Sequence, residues 1–144
     1  NLLVGGHDSL WHYTNSDTKG PQNLPPGIYG LSNATLDTPW PKVVLGKAKL
    51  LALLETGPIS HRALADVVSS QQLADQNSLI AQGLDSTMES TLSPQFIVTD
   101  TYGTRSSTTL WFDAKAQASW LELSFNAQGV LREVQHKEMS LADR

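Results

Sequence analysis

The first third of the chain alternates short apolar runs with turn-forming residues. The opening letters, NLLVGGHDSLWHYTN, contain two β-prone runs around a Gly-Gly-His-Asp-Ser turn, a pattern that predicts a β-hairpin over residues 1–15. The next letters, SDTKGPQNLPPG, are turn-forming throughout and predict a loop. We expect this loop to end where residues 28–32 can form a strand.

The middle of the chain has the spacing of helices. A first helix is predicted over residues 43–55, where apolar residues recur at positions 43, 44, 48, 50, 51, 53 and 54. Pro39 and Pro41 suit the start of this helix, and Gly57 followed by Pro58 ends it. Because so many of its positions are apolar, we expect the helix to be well buried.

A second, shorter helix is predicted to follow. Ser60 can cap it, and it extends through about residue 68 with an expected inward face of Leu64, Val67 and Val68. Residues 69–86 are rich in Ser, Gln, Asp and Asn and give weak signals. They predict a loop with room for one helical turn.

The last third of the chain changes to β-prone runs separated by short turns. Strands are predicted over residues 95–101, 107–113, 119–126 and 130–137, which form an antiparallel meander. Together the patterns predict the α+β class, with antiparallel sheets and the helices between two sets of strands. In this prediction, helix 43–55 packs on a sheet formed by these four strands and strand 28–32.

Composition narrows the class of protein. With 144 residues, 40% of them apolar, the chain has the size and composition of one domain. A net charge of −4, with the basic residues scattered singly, argues against a nucleic-acid partner. No apolar run approaches the roughly 18 residues of a membrane span, so we predict a soluble, cytoplasmic protein.

Residue types for metal or thiol chemistry are scarce. The chain has no cysteine, which excludes disulfides and a thiol nucleophile within these residues. The two histidines of His7-Asp8 and His12 straddle a predicted turn, and no further ligand is placed nearby, so we predict no metal site and no cofactor.

The chain opens directly on an apolar, strand-like run without an initiator Met. A strand at a chain end must pair its edge with something. We therefore expect a fragment or a processed chain, whose partner is either a missing N-terminal segment or another copy in a homo-oligomer.

Two stretches carry the strongest candidates for chemistry. Asn33 follows a predicted strand end, where its amide can point an N–H into a cleft or simply cap a turn together with Asp37. Arg105 sits between a Tyr-Gly corner and a β-branched run, where a guanidinium can hold an anion or form a structural ion pair. Both alternatives stay open for both residues.

These stretches belong to a longer series of segments that resembles a known family. In order, they are NLLVG with LWHYTN, LPPGIYGLSNATLDTPWPKV, LSPQFIV, YGTRSSTTL and ELSFNAQG. The series resembles the C-terminal half of the transport-and-Golgi-organisation family, also called the NRDE family after an Asn-Arg-Asp-Glu motif near its N-terminus. Residues 57–90 match loosely, and the family's N-terminal Cys and NRDE motif have no counterpart in these residues.

The resemblance implies a fold and a function. The family is similar to N-terminal-nucleophile (Ntn) hydrolases, which have αββα layers, and this architecture is expected to be incomplete here. In one branch of those enzymes a terminal Cys attacks an amide, an Asn stabilises the oxyanion and an Arg lines the pocket. By motif position, the resemblance implies these two catalytic roles for Asn33 and Arg105. The predicted substrate-binding neighbours are Asp37, Trp40, Tyr102 and Ser106.

Two functions follow from the resemblance. The first is amide-bond hydrolysis by a nucleophilic Cys outside this chain, with Asn33 as oxyanion donor. The alternative is non-catalytic binding or trafficking of a small apolar or N-acyl ligand, such as haem or an acyl-thioester. In either case Pro39, Trp40 and Pro41 are predicted to hold the turn rigid, so that Asn33 faces a pocket at a fixed position.

Overall fold

The fold is α+β, and the structure, a computed structural model, describes residues 1–6, 8–16, 18–84 and 87–140. The described residues form two three-stranded antiparallel sheets, separated along the chain by four helices. In chain order the elements are β1 (Leu2–Gly5), β2 (Leu10–Tyr13), β3 (Gln22–Leu24), α1 (Pro41–Thr56), α2 (His61–Val67), α3 (Gln76–Ile80), α4 (Thr87–Thr91), β4 (Ser106–Phe112), β5 (Gln117–Phe125) and β6 (Leu131–Ser140).

The N-terminal sheet confirms the predicted hairpin and adds a strand to it. β1 and β2 pair from Leu2 opposite Tyr13 to Gly5 opposite Leu10. The turn is closed by a 3.0 Å hydrogen bond from the Gly6 N–H to the Ser9 carbonyl, while His7 lies outside the described residues. β3 pairs with β2 although its letters predict a loop, because the backbone of any non-proline residue can extend a sheet edge.

The C-terminal sheet is the predicted meander, in the order β4–β5–β6. Its two turns are closed by side chains that accept backbone N–H groups. Asp113 accepts from residues 115 and 117, and Asn126 accepts from residues 128 and 130. Gly129 has a φ of +72°, and a Cβ there would lie 2.8 Å from Val98, so glycine is required at this turn.

Two predicted strands are absent from the structure. Residues 28–32 form an irregular segment, and residues 95–101 contain only an isolated bridge between Val98 and Gly103. The backbone groups that a sheet would use are bonded elsewhere. In the second segment, Ile97 pairs with Thr104, and the Phe96 N–H donates to the carbonyl of Ser70.

The predicted first helix exists, but the predictions that it is well buried and that it packs directly on a sheet were wrong. Only Val43 of α1 is buried, while Val44, Leu51 and Leu54 are about half exposed. α1 packs against α2, and it is α2 that contacts the C-terminal sheet through β4. α1 therefore reaches the sheet through a second helix instead of lying on it.

The second helix begins where it was predicted to begin. The Ser60 hydroxyl accepts the Ala63 N–H at 3.1 Å and caps α2. Its buried residue is Ala65, whereas Val68, predicted to point inward, is 45% exposed. α3 supplies the helical turn for which the 69–86 stretch had room.

Within the described residues, the buried apolar side chains come from the middle and last parts of the chain and none from the N-terminal sheet. They are Val43, Ala65, Leu79, Phe96, Ala118 and Leu123. The rings of Phe96 and Phe125 of β5 pack edge to face with their centres 4.8 Å apart, and this contact holds the 95–104 segment against the sheet. Large apolar side chains stay exposed on both sheets and on α1, so a covering segment or second copy stays a prediction. In the described parts of the chain, no helix is long and apolar enough to cross a membrane.

Candidate functional site

Residues 30–37, here called the Asn33 loop, are closed at the base by Asp37. The Asp37 N–H donates to the Gly30 carbonyl, and the Gly30 N–H donates to Asp37 Oδ1, both at 2.7 Å. Asp37 has a φ of +58°, a conformation that Asp and Asn tolerate better than most residues. Asn33 is thereby held in the middle of a closed loop, and Asp37 acts as the structural cap that the sequence allowed.

The Asn33 loop is fastened to α1. Lys47 donates to Asp37 Oδ1 at 2.8 Å. A Cβ at Gly30 would lie 2.5 Å from Val43, so only glycine lets the loop lie this close to the helix. Partial burial acts to raise the pKa of the Asp37 carboxyl, but the bonds from Lys47 and Gly30 hold it below its usual value. Asp37 Oδ1, which accepts both bonds, thus supports the loop.

Trp40 sets the position at which α1 begins. It is the N-cap residue in an extended conformation, and its carbonyl accepts the N–H groups of Val43 and Val44 at 2.8 and 3.0 Å. Pro41 then occupies the first helical position, where the missing N–H has no cost. The residues predicted to stiffen this junction thus lie at the N-terminus of α1, directly after the Asn33 loop.

Asn33 and Trp40 line one cavity of about 120 Å³. Its apolar lining comes from Pro41, Leu79, Leu84 and Leu92. Its other polar residues are Lys42, Glu89 and Ser93. The Asn33 side chain is exposed and makes no hydrogen bond to any described residue. A residue with an unbonded side-chain amide and a tryptophan therefore line a largely apolar space that can take one end of a small molecule.

Lys42 also lines this cavity, and sequence reasoning missed it. Its ammonium donates to the Leu92 carbonyl at 2.9 Å and lies 5.7 Å from the centre of the Trp40 ring. Burial lowers the pKa of Lys42. Lys42 also lines two other cavities, of about 230 and 290 Å³, and Gln95 lines both of them as well. A lysine in a first helical turn without acidic residues was the signal available in the sequence.

The second half of the predicted site lies elsewhere. Arg105 precedes β4, is exposed, and makes no hydrogen bond or ion pair through its guanidinium to a described residue. Its carbonyl accepts the Phe125 N–H at 2.8 Å. Tyr102 is 62% exposed in the preceding turn, and Ser106 is the first residue of β4. None of these three lines the Asn33 cavity, so their roles stay predictions.

The described residues contain no group of three or more His, Cys, Asp or Glu that could hold a metal ion. Of the histidines weighed in the sequence, His12 is buried in β2 with its Nε2 3.1 Å from Asn1 Oδ1. His7 lies outside the residues that the structure describes.

Comparison with known proteins identifies the family. A sequence model described as Transport and Golgi organisation 2 matches residues 1–127, most of the chain. The chain belongs to this family. The match includes both sheets except β6, and it contains the Asn33 loop, Trp40 and Arg105. The resemblance inferred from the sequence segments is thereby confirmed.

The curated members of the family that the chain matches are longer than the chain. The cattle Transport and Golgi organization protein 2 homolog is 34% identical over 128 residues, which cover 81% of this chain and 45% of the relative. The mouse homolog is 32% identical and the human homolog 30%, each covering 85% of this chain and 48% of the relative. The chain spans about half the length of the curated family members it matches.

Proposed function

We propose that this chain forms one wall of a pocket that binds a small molecule with an apolar body and a carbonyl group. Asn33 donates its amide N–H to the carbonyl oxygen, and Trp40 packs against the adjoining apolar part. The observation that carries the proposal is the free amide of Asn33 on the wall of a largely apolar cavity.

The size of the cavity limits what it can hold. At about 120 Å³ it accommodates a few carbon atoms and a carbonyl group, whereas a whole drug-sized ligand needs roughly 300 Å³ or more. The rest of a larger ligand would extend along the surface or toward the two cavities that share Lys42. An N-acyl compound or an acyl-thioester fits this description.

The position of Asn33 gives this bond its selectivity. The closed loop fixes the backbone of Asn33, so that only its side-chain torsions lose freedom when it binds a ligand. A carbonyl oxygen that leaves water for this cavity needs a donor, because an unsatisfied polar group in an apolar space is costly. Asn33 therefore favours ligands with a carbonyl over purely apolar ones.

A second candidate function is amide-bond hydrolysis in the whole protein. The free amide of Asn33 favours it, since an oxyanion hole needs a donor that is not already bonded. The nucleophile would be a Cys outside these 144 residues, which contain none, and Arg105 would organise its pocket. This candidate includes the Ntn-hydrolase-like αββα arrangement, with which two antiparallel sheets and their helices are compatible.

Binding is tested on this chain with three probes, octanoyl-N-acetylcysteamine, N-octanoylglycine and haem, with cyclohexane, which has no hydrogen-bond acceptor, as the control. We expect a carbonyl probe to shift the NMR signals of the Asn33 side-chain amide and the Trp40 indole, and cyclohexane to leave the Asn33 side-chain amide unshifted. Asn33→Ala should reduce the affinity for the carbonyl probe about tenfold, which corresponds to the free energy of about one hydrogen bond. Asn15→Ala, at another exposed asparagine, is the matched control. Equal affinity in both variants would overturn the proposal.

Hydrolysis needs the whole protein. There, Asn33→Ala should reduce turnover of an N-acyl amide roughly 10²- to 10³-fold while folding stays intact. A thiol reagent should label one Cys selectively if that Cys is an activated nucleophile. An unreactive Cys, together with retained probe binding, would leave binding as the function.

A further inference from the structure

β6 is an uncovered edge of the C-terminal sheet. It is the last strand in the order β4–β5–β6, and every residue from Leu131 to Ser140 is exposed. It packs on β5, and no other element of the described chain contacts it to a comparable extent. Every second residue of an edge strand points its N–H and C=O away from the neighbouring strand. β6 therefore presents a row of unpaired backbone groups to which a further strand can bond.

The regular part of this edge begins at Glu133. Between Leu131 and Glu133, β6 contains one extra residue, Arg132, as a β-bulge. From Glu133 to Ser140 each residue lies opposite one residue of β5 without a break. A bulge can protect a sheet edge by bending it, but this one lies at the beginning of the strand. Most of the edge is left in regular register.

Three polar side chains lie on one face of this regular part. They are Glu133, Gln135 and Lys137, which share a face because side chains alternate along a strand. Gln135 Nε2 donates to Glu133 Oε1 at 2.9 Å. Glu133 and Lys137 are roughly 13 Å apart along the strand, too far to pair with each other. Neither has an ion-pair partner in the described part of the chain. An exposed anion and an exposed cation thus stand two residues before and two residues after Gln135.

A second copy of β6 matches this pattern in one register. In a regular antiparallel pair, two opposite residues either both bond across the pair or both point their backbone groups away. A strand that pairs with its own copy therefore has its two-fold axis at a residue. With the axis at Gln135, Glu133 lies opposite Lys137 of the partner subunit, and Lys137 lies opposite Glu133 of the partner subunit. Both opposite-charge pairs then form across the edge.

The registers with the axis one residue before or after Gln135 lack this match. In the earlier register, Lys137 would lie opposite the apolar Leu131. In the later register, Glu133 would lie opposite the apolar Met139. Opposite charges placed directly across an antiparallel pair stabilise it, whereas these alternatives leave both charges without a partner. Charge complementarity therefore selects the register centred on Gln135.

We propose that β6 is the interface between two copies of this chain, which pair antiparallel about Gln135. The pairing joins the two C-terminal sheets into one six-stranded sheet in the order β4–β5–β6–β6–β5–β4. The match lies in the charge pattern of β6 itself, which makes a second copy the partner that fits this edge. No residue of β6 lines the Asn33 cavity, so the pairing does not depend on the proposed ligand binding.

The size of the contact predicts a weak dimer. Stable interfaces involve roughly 20–30 residues a side, whereas β6 has 10 residues. The first test is sedimentation equilibrium of this chain from about 10 μM to about 1 mM, the range in which a weak dimer dissociates. We expect the average mass to rise from that of the 15.7 kDa monomer toward twice this value. A chain that stays monomeric at the highest concentration would overturn the proposal.

Charge reversal tests the register. Lys137→Glu and Glu133→Lys each place like charges opposite each other at both pairs, so each variant alone should dissociate at least about tenfold more readily. Mixed one to one, the two variants are complementary at both pairs and should form a mixed dimer with the original affinity. Lys115→Glu makes the same change in the β4–β5 turn and is the matched control. A dimer that Lys137→Glu does not weaken, or that mixing does not restore, would contradict pairing through β6.

A cross-link locates the axis independently of the charges. Because the chain has no cysteine, a thiol introduced by Gln135→Cys can pair only with the same position of the second copy. Directly opposite Cα atoms are about 4.5–5.5 Å apart, a separation that a disulfide spans, so mild oxidation should give a covalent dimer. In His136→Cys the two thiols would occupy diagonal positions, with Cα atoms about 7–8 Å apart, and should remain reduced. Equal cross-linking at both positions would overturn the register.

Discussion

In both the Asn33 loop and the segment over residues 97–104, a local side chain replaces a neighbouring strand as the partner of a backbone N–H. The two segments nevertheless have opposite effects on the candidate site. Both begin in a stretch whose sequence predicts a strand. In both, a side-chain oxygen accepts the backbone N–H that would have bonded to a neighbouring strand. Asp37 accepts from Gly30, and Thr104 accepts from Ile97. The first closure holds Asn33 on a cavity wall, whereas the second leaves Arg105 exposed just beyond it.

The comparison shows that local side-chain acceptors can outweigh β-propensity. A short polar side chain satisfies a backbone donor within a few residues, at a small cost in chain entropy, whereas a sheet edge must be brought from far along the chain. The two closures differ in their support. Asp37 is fastened to α1 by Lys47, while the second segment is held by packing of Phe96 on Phe125.

The largest effect on stability is expected when the hydrogen bond from the Gly30 N–H to Asp37, which closes the Asn33 loop, is removed. Asp37→Ala leaves the Gly30 N–H without its acceptor and places Ala at a φ of +58°, so the free energy of unfolding should fall by about 1–3 kcal/mol. Urea unfolding at pH 7 measures this loss. Lys47→Met removes only a partly exposed ion pair and should cost less than about 1 kcal/mol. If both variants lose the same amount, the ion pair and not the closure holds the loop.

A smaller effect on stability is expected when the hydrogen bond from the Ile97 N–H to the Thr104 hydroxyl is removed. Thr104→Val keeps the shape of the side chain but removes the oxygen that accepts the Ile97 N–H at 2.9 Å, at a cost of about 1 kcal/mol. Hydrogen exchange at Ile97 should accelerate, while the Gly30 amide stays protected. Thr101→Val, at an exposed threonine of the same turn, is the control. Simultaneous loss of protection at Gly30 would show that the two closures are coupled.

The smallest effect on stability is expected at Arg105. Arg105→Lys should change the free energy of unfolding by less than about 0.5 kcal/mol, because the guanidinium has no partner among the described residues. If Arg105 organises a pocket in the whole protein, the same variant should impair function there, since an ammonium cannot replace the planar guanidinium. Normal function of the variant would remove Arg105 from the site and leave Asn33 alone.

The sequence by itself determined the elements whose signals are local. The hairpin, the start of α2 at Ser60 and the three C-terminal strands follow from turn residues, a cap and alternation, which act over a few residues. The segments shared with the Transport and Golgi organisation 2 family could also be recognised from the sequence alone. The start of a helix beside Pro39 and Pro41 was also predicted correctly, since α1 begins at Pro41 with Trp40 as its N-cap.

The tertiary structure decided what depends on distant partners. Asn33 gained its cavity from residues near 79–93, and Lys42 gained its place there from the Leu92 carbonyl fifty positions away. The burial of α1 could not be predicted from its apolar letters, because burial depends on which element arrives to cover a face. The contacts of His61, the first residue of α2, could not be predicted for the same reason. Its ring stacks on Trp111, and its nitrogens lie within hydrogen-bond distance of Thr109 and Ser119. These partners lie 48 to 58 positions along the chain, on strands whose pairing sets their common face.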